Sequence, residues 1–189
     1  MQIVFVGPPG AGKGTQALRL KDHLGVVHLS TGEMFREAER QGTELGRQAA
    51  EFFRAGALVP DEVVVGIIAE RIQQPDCEAG CVFDGFPRTV AQAEALDAML
   101  AEASRPLNLV LALDVAADVV SRRMLGRGRV DDTPETIRER LRQYDRLTWP
   151  LLEYYRGQGL LRMIDGTGTE SEVFARVRTV VDAASKAGD

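Results

Sequence analysis

The chain of 189 residues contains only two cysteines and two histidines. Cys77 and Cys81 are too few for a zinc site with four cysteine ligands, and neither a CxxC motif nor a nearby histidine accompanies them. His23 and His28 likewise have no third ligand close in sequence. We therefore expect reduced structural cysteines, histidines that are structural or solvated, and no structural zinc.

Long hydrophobic runs are also missing. No apolar run approaches the roughly 20 residues that span a bilayer, and the opening MQIVFVGPPG lacks the basic flank and cleavage pattern of a signal peptide. The length and the 44% hydrophobic content are typical of one globular domain. We expect a soluble, cytoplasmic protein with no membrane partner and a single domain over residues 1–189.

Positive charge is scarce as well, because 23 basic side chains face 28 acidic ones and the net charge is -5. Nucleic-acid binding needs an excess of positive charge, so we expect no nucleic-acid partner. Apart from Lys13, Lys21 and Lys186, every basic residue is an arginine. The planar guanidinium of arginine suits bidentate contacts with phosphate or carboxylate. The composition therefore favours a small anionic ligand.

Short apolar runs alternate with amphipathic stretches along the chain. Strands are predicted at 3–6, 81–84, 109–114 and 160–165, with a shorter fifth strand at 26–29. Nearly continuous apolar runs indicate strands that are buried on both faces, as in a parallel sheet covered by helices. The sequence therefore predicts an α/β three-layer sandwich with a five-stranded parallel sheet, whose ligands bind beyond the carboxyl ends of the strands.

Apolar residues three and four positions apart predict the helices. They lie at 14–24, 91–103, 116–125 and 171–185. Residues 31–74 contain no convincing strand, and breaks at Gly42, Gly56 and Pro60 predict three or four short helices there. We expect this helical excursion to cover the ligand-binding edge of the sheet.

A later helix is predicted from a capping residue and a proline. Thr133 precedes Pro134, which is favoured in the first turn of a helix. The helix is expected to run to about Tyr155 with a bend at Pro150.

The strongest motif is GPPGAGKGT at residues 7–15, a relaxed form of the phosphate loop GxxxxGK[ST] with Thr15 one position late. It follows a predicted strand and opens a predicted helix, as a phosphate loop must. Backbone N–H groups of such a loop turn towards phosphate oxygens, and Lys13 can reach the outer phosphates. The loop alone leaves open whether the phosphate is hydrolysed, transferred or only sensed.

Together with five later motifs, this loop resembles the adenylate kinase family. The later motifs are LSTGEMFR (29–36), GALVPDEVV (56–64), DGFPRTVAQAEAL (84–96), GRGRVDDTPETIRERLRQY (126–144) and DGTG (165–168). They occur in the family's order over essentially the whole chain, so the resemblance is highly specific. It implies a P-loop fold with a helical AMP-binding insertion at 30–59 and a short lid loop at 126–132.

The resemblance also implies an activity and its partners. The reaction would be reversible phosphoryl transfer from Mg-ATP to AMP, which gives two ADP and serves adenine nucleotide homeostasis. ATP, AMP and ADP would be the partners, Mg²⁺ would accompany ATP as the cofactor, and the protein would be a monomer. The short lid implies that zinc is absent.

For the donor nucleotide, the resemblance implies a site built on the phosphate loop and two arginines. The implied ATP-binding residues are Gly10, Ala11, Gly12, Lys13, Gly14, Thr15, Arg123, Arg127 and Gly168. In this assignment Arg123 covers the adenine, Arg127 binds donor phosphates, and Gly168 lets the backbone approach the adenine.

For the acceptor, the resemblance implies a second site. The implied AMP-binding residues are Thr31, Arg36, Ala57, Leu58, Val59, Gly85, Phe86, Pro87, Arg88, Gln92, Arg129 and Arg140. Gln92 would read the adenine edge. Related UMP/CMP kinases tend to have alanine in place of Thr31 and asparagines after FPR, so Thr31, Thr89 and Gln92 favour AMP.

Charged residues are the candidates for catalysis. They are Lys13, Arg36, Asp84, Arg88, Arg123, Arg127, Arg129 and Arg140. Arg36 and Arg88 both follow predicted strands, so they can face one cleft and clamp a monophosphate. Asp84 closes a strand where a carboxylate can orient the water shell of Mg²⁺ without binding the metal directly, although capping a helix is its alternative role.

The sequence leaves two points open, namely the anionic partner of one arginine cluster and the function of the protein. The arginines at 123–140 need an anionic partner, which is either Asp131 and Asp132 with the neighbouring glutamates or a polyphosphate; the resemblance favours the polyphosphate. We assign Arg122, Arg138, Arg142 and Arg146 to solvent. The competing functions are a UMP/CMP or other nucleoside monophosphate kinase and a regulatory switch NTPase.

Overall fold

Five strands form the centre of the computed structural model, which describes residues 1–186. The strands are β1 (Gln2–Val6), β2 (Val27–Ser30), β3 (Cys81–Asp84), β4 (Leu109–Asp114) and β5 (Leu161–Asp165). All neighbouring strands are parallel, in the order β2-β3-β1-β4-β5. The chain moves from β1 to one side of the sheet and from β3 to the other, so a crevice opens at the carboxyl ends of these two strands.

Helices cover both faces of this sheet. They are α1 (Lys13–Leu24), α2 (Thr31–Arg40), α3 (Glu44–Ala55), α4 (Asp61–Arg71), α5 (Val90–Glu102), α6 (Ala117–Gly126), α7 (Pro134–Gln143), α8 (Pro150–Gly157) and α9 (Glu170–Lys186). Ile3 and Phe5 of β1 pack in one hydrophobic cluster with α1, α6 and α9. Val4 and Val6 pack in another with α4, α5 and α8. The alternation places successive side chains in opposite layers, which confirms the predicted α/β sandwich.

Strand β5 departs from the prediction of strands buried on both faces. Ile164 is buried, but Arg162 is exposed and 48% of Met163 is accessible. The strand lies at the edge of the sheet beside β4 alone. An edge strand has fewer neighbours to cover its side chains, so an apolar run there does not ensure full burial.

The helix predicted from Pro134 to about Tyr155 is interrupted in the structure. Helix α7 ends at Gln143, a π-helical turn spans Tyr144–Thr148, and α8 begins at Pro150. The N–H of Trp149 donates to the carbonyl oxygen of Tyr144, five residues back, at 2.8 Å. Proline has no N–H and crowds the preceding turn, so the chain widens there instead of only bending.

The helical excursion after β2 consists of three helices, α2, α3 and α4, as the breaks in the sequence predict. Its far end reaches across to α7, because Nη2 of Arg140 donates to the carbonyl oxygen of Phe53 at 3.2 Å. This contact places the excursion over the carboxyl ends of the strands. The division into an insertion at 30–59 and a lid at 126–132 stays a prediction. No helix within residues 1–186 has the length and apolar character needed to cross a membrane.

Candidate active site

A cleft of about 750 Å³ lies at the carboxyl ends of β1 and β3. It brings together every side chain predicted to be catalytic, namely Lys13, Arg36, Asp84, Arg88, Arg123, Arg127, Arg129 and Arg140. The phosphate loop forms one wall, and residues from α2 and from the turn after β3 form another. Arginines from α6, α7 and the turn between them complete the lining. The cleft is therefore strongly cationic within a protein of net negative charge.

The phosphate loop passes directly from β1 into α1. Gly12 caps α1 with a φ of 98°, a left-handed conformation that favours glycine, and Lys13 is the first helical residue. The Nζ of Lys13 donates to the carbonyl oxygens of Gly7 at 2.7 Å and Pro8 at 3.0 Å, so the side chain folds back across the loop. The free N–H groups of the first turn of α1 face the cleft as a ready anion site.

Burial lowers the pKa of Lys13 to about 8; Asp84 opposes this shift, whereas the positive charges of Arg88 and Arg127 add to it. The folded protein thus holds an ammonium group in a place that disfavours its charge. A phosphate anion beside Lys13 would reverse that preference, because opposite charge stabilises the protonated form.

Asp84 lies at the end of β3 beside the phosphate loop. Burial raises the pKa of Asp84, but proximity to His28 and the charges of Lys13 and Arg88 outweigh burial, so the net shift is downward. The carboxylate is therefore ionised at neutral pH. It makes no direct hydrogen bond to Nε2 of His28, because the two atoms are 3.6 Å apart. An ionised carboxylate at this position fits the predicted contact with the water shell of Mg²⁺ that enters with ATP.

Arg88 is oriented by the turn after β3. Its Nε donates to the carbonyl oxygen of Gly85 at 2.8 Å, and the hydroxyl of Thr31 donates to the same oxygen at 3.0 Å. Gly85 has a φ of 77°, and a Cβ there would lie 3.0 Å from the Thr31 hydroxyl oxygen. Only glycine fits this turn without displacing Thr31, so Gly85 allows two residues of the predicted acceptor site to converge.

Three arginines of the cleft share one electrostatic feature. Burial is the main reason that the pKa values of Arg36, Arg88 and Arg129 are lowered, and each is lowered further by at least one neighbouring arginine. Among residues 1–186, none of these three guanidinium groups forms an ion pair with a carboxylate. Crowded cations without anionic partners are typical of a site for a multiply charged anion.

The other arginines of α7 and the preceding turn are paired. Arg127 and Arg140 share the carboxylate of Asp132, with Nη2 of Arg127 at 2.9 Å and Nη1 of Arg140 at 2.7 Å from its Oδ1. Arg140 also pairs with Asp131. The sequence left acidic side chains or a polyphosphate as the partner of this cluster. In the structure, Arg127 and Arg140 pair with the aspartates. Arg129 lines the cleft outside these pairs.

Arg123 bridges two loops at one end of the cleft. Its guanidinium donates to the carbonyl oxygens of Gly166 at 3.3 Å and Ala11 at 3.4 Å. Its neighbour Arg122 is exposed and pairs with Asp118 at 3.0 Å. Gly168, which follows β5, lines the same end of the cleft.

A smaller pocket adjoins the cleft and shares Leu58 and Arg88 with it. Its lining combines the apolar residues Phe35, Val59 and Val64 with the polar residues Thr31 and Gln92. This mixture suits a nucleotide base, but the pocket holds only about 20 Å³ in this structure and must widen to admit one.

Comparisons with known proteins agree with this geometry. The family model for adenylate kinase matches residues 5–160. An adenylate kinase of Stenotrophomonas maltophilia strain K279a is 46% identical, over 97% of this chain and all of that protein. Those of Archaeoglobus fulgidus and Mycobacteroides abscessus are 43% and 49% identical, over 96% and 93% of this chain and 98% and 96% of theirs. The chain belongs to the adenylate kinase family.

The stretch matched to the adenylate kinase model contains the phosphate loop and every arginine that lines the cleft. One residue of the predicted AMP site does not reach either pocket. Phe86 is fully buried and packs in the hydrophobic cluster with α4, α5 and α8, so its side chain anchors the turn to the core. Ala57, Leu58, Gly85 and Pro87 line the cleft, and their contact with AMP stays a prediction.

Three residues near the cleft were not predicted from the sequence to belong to the site. His28 lies beside Asp84, and Thr148 donates its hydroxyl to the carbonyl oxygen of Arg88 at 2.9 Å. Asp61 accepts hydrogen bonds from Thr89 and Gln92. The only signal for Asp61 was its place within the GALVPDEVV motif. No group of three or more His, Cys, Asp or Glu side chains in the described part of the chain could hold a metal ion.

Proposed function

We propose that this chain catalyses reversible phosphoryl transfer from Mg-ATP to AMP, giving two ADP. The observation that carries the proposal is the presence of two phosphate-binding walls in one cleft. Lys13 and the first turn of α1 form the donor wall, and Arg36 with Arg88 forms the acceptor wall. A nucleotide-sensing protein needs only the first wall, whereas a kinase for a nucleoside monophosphate needs both.

The donor would bind with its phosphates against the loop and its adenine near Arg123 and Gly168. Lys13 and Arg127 would bind the outer phosphates, which restores full protonation of Lys13. The Mg²⁺ that accompanies ATP would supply positive charge to balance that of the phosphates. Asp84 would hold the water shell of that ion in place without direct coordination.

The acceptor would place its phosphate between Arg36 and Arg88 and its base in the smaller pocket. An oxygen of the AMP phosphate attacks the γ-phosphorus as the bond to the β,γ-bridging oxygen breaks, so both products are ADP. Such transfer depends on positioning and charge stabilisation and needs no covalent nucleophile. Arg129 and Arg140 would stabilise negative charge on the group in transfer.

Water must be kept from the γ-phosphate, or ATP would be hydrolysed instead of transferred. In this proposal the insertion at 30–59 and the lid at 126–132 would exclude it. The proposal includes a monomeric protein of the cytoplasm that maintains the balance of adenine nucleotides. A kinase for UMP or CMP is not favoured, because the relatives are adenylate kinases.

An acceptor screen with Mg-ATP tests this function. ADP formation is followed with AMP, CMP, UMP and GMP as acceptors, together with an arm that contains no acceptor. We expect AMP to exceed the other acceptors by at least about tenfold in kcat/KM, the discrimination expected from one or two mismatched polar contacts. Comparable rates with CMP would indicate a broader nucleotide kinase. ATP consumption that does not depend on an acceptor would indicate a switch NTPase.

A further inference from the structure

The side-chain amide of Gln92 is held from both ends. Its Oε1 accepts a hydrogen bond from the backbone N–H of Arg88 at 2.7 Å. Its Nε2 donates to Oδ1 of Asp61 at 2.7 Å. Gln92 is only 2% exposed, so these bonds are shielded from competition with water. The amide is therefore fixed in place by two partners from different parts of the chain.

The chemistry of the two partners permits only one orientation of this amide. A carboxylate can only accept hydrogen bonds and a backbone N–H can only donate them. If the amide of Gln92 were flipped, its oxygen would face the carboxylate of Asp61 and its NH₂ group would face the N–H of Arg88. Both contacts would be repulsive, and the buried groups would be left unsatisfied.

Asp61 is itself held in place. Its Oδ2 accepts from the hydroxyl of Thr89 at 2.8 Å, and the Thr89 oxygen accepts from the backbone N–H of Gln92 at 3.1 Å. The hydrogen bonds thus close a ring between the first residue of α4 and the first turn of α5. The ring connects the start of α4, the last helix of the excursion, to the smaller pocket that Gln92 lines.

The fixed amide retains one N–H and one lone pair of its oxygen. Adenine offers N1 as an acceptor and its 6-amino group as a donor, which match that pair. Hypoxanthine offers the reverse, an N1–H donor and an O6 acceptor, and would require the flipped amide. The orientation of Gln92 thus selects between the two bases.

We infer that Asp61 is a positioning residue that sets the preference for adenine over 6-oxopurines by fixing the orientation of the Gln92 amide. The inference rests on the proposed function, since it takes AMP as the acceptor. Asp61 itself touches no substrate in this scheme. It acts only through Gln92 and so affects the choice of base rather than the transfer step.

The test compares AMP with IMP as acceptors for the Asp61→Asn variant of the full chain. An asparagine can turn its own amide, so residue 61 no longer opposes the flipped orientation of Gln92 and only the N–H of Arg88 still does. We expect the ratio of kcat/KM for AMP to that for IMP to fall roughly tenfold, the effect of one mismatched buried hydrogen bond. The fall should come mainly from a lower KM for IMP, because the flipped amide then meets one repulsive contact instead of two, whereas AMP still meets the amide in its present orientation.

Glu62→Gln is the matched control. Glu62 is exposed and occupies the next position of α4, so this substitution removes the same charge from the same helix turn. It should leave the ratio unchanged. A parallel loss for both acceptors in Asp61→Asn would show a structural role only and would overturn the inference. Failure of the parent protein to use AMP at all would instead overturn the proposed function.

A measurement on the parent protein covers the case in which Asp61→Asn does not fold. With ¹⁵N-labelled glutamine, the side-chain resonance of Gln92 is assigned by its loss in Gln92→Leu. One of its two amide protons should exchange with solvent much more slowly than those of the exposed Gln41. Equal exchange at Gln92 and Gln41 would contradict a fixed amide.

Discussion

Replacing Lys13 with methionine tests the donor wall. The substitution keeps the length of the side chain but removes the ammonium group that bonds to Gly7 and Pro8. A unit charge about 4 Å from a phosphate charge contributes about 4 kcal/mol at an effective dielectric constant near 20. Because kcat/KM compares the transition state with free enzyme and free substrate, loss of this contact lowers kcat/KM by roughly a thousandfold even if bound ATP already makes it.

The assay is AMP-dependent ADP formation at saturating Mg²⁺, with thermal unfolding followed in parallel. Lys21→Met is the matched control, because Lys21 lies on the same helix but is exposed. The control should retain parent activity, and both variants should unfold near the parent temperature, since neither creates a cavity. Activity of Lys13→Met within about tenfold of the parent would refute the reasoning, because several kcal/mol of stabilisation cannot be lost at so small a cost in rate.

The remaining predictions concern the base, the charge of Lys13, the metal and motion. Gln92→Leu should weaken AMP binding far more than ATP binding, measured by calorimetry for each nucleotide; equal losses would remove Gln92 from the acceptor site. Because the pKa of Lys13 is about 8 and bound phosphates raise it, ATP affinity should level off about one pH unit below 8 and fall by up to about tenfold per pH unit above pH 8. Lys13→Arg should show a flat profile, and the same slope in that variant would exclude Lys13 as the titrating group. Removal of Mg²⁺ with EDTA should stop turnover, whereas a zinc-selective chelator should not; inactivation by the latter would contradict a zinc-free lid. An analogue that links two adenosines through five phosphates should slow amide exchange at 31–59 but barely affect β1; unchanged exchange at 31–59 would show a static scaffold.

The central architecture could be predicted because it depends on composition along single segments. The runs that became β1, β3 and β4 are apolar except for Gln2 at the start of β1 and the aspartates that end β3 and β4, and only a sheet covered on both faces buries such runs. The edge position of β5 depends on which strand lies beside it, and no single segment reveals that. Pro150 predicted a disturbance of the helix, and the structure has a π-helical turn there. The choice between a bend and a widened turn depends on the packing of Tyr144 and Thr148, which the sequence does not reveal.

The candidate site could be predicted where a residue's position follows from a contiguous motif or from the end of a nearby strand. The phosphate loop and Lys13 are contiguous, and Arg36 and Arg88 each follow the carboxyl end of a parallel strand. His28 was not predictable, because its position beside Asp84 depends on the register of β2 and β3. That register sets Ser30 opposite Asp84 and so places His28 two residues away on the same face.

Asp61 was not predictable for a similar reason. Its partners Thr89 and Gln92 are about thirty positions away along the chain. Only the packing of α4 beside α5 brings them together. The ion pairs of Asp132 with Arg127 and Arg140 could be anticipated as one of two alternatives, since charge alone does not decide between a carboxylate and a phosphate partner.

The most direct test of direct transfer between two nucleotides in one cleft starts from ADP alone. Purified protein is incubated with Mg²⁺ and ADP, and the products are followed by ³¹P NMR. The account predicts that ATP and AMP form in equal amounts until equilibrium is reached, with no inorganic phosphate. Stable ADP, or the release of inorganic phosphate in place of AMP and ATP, would contradict it.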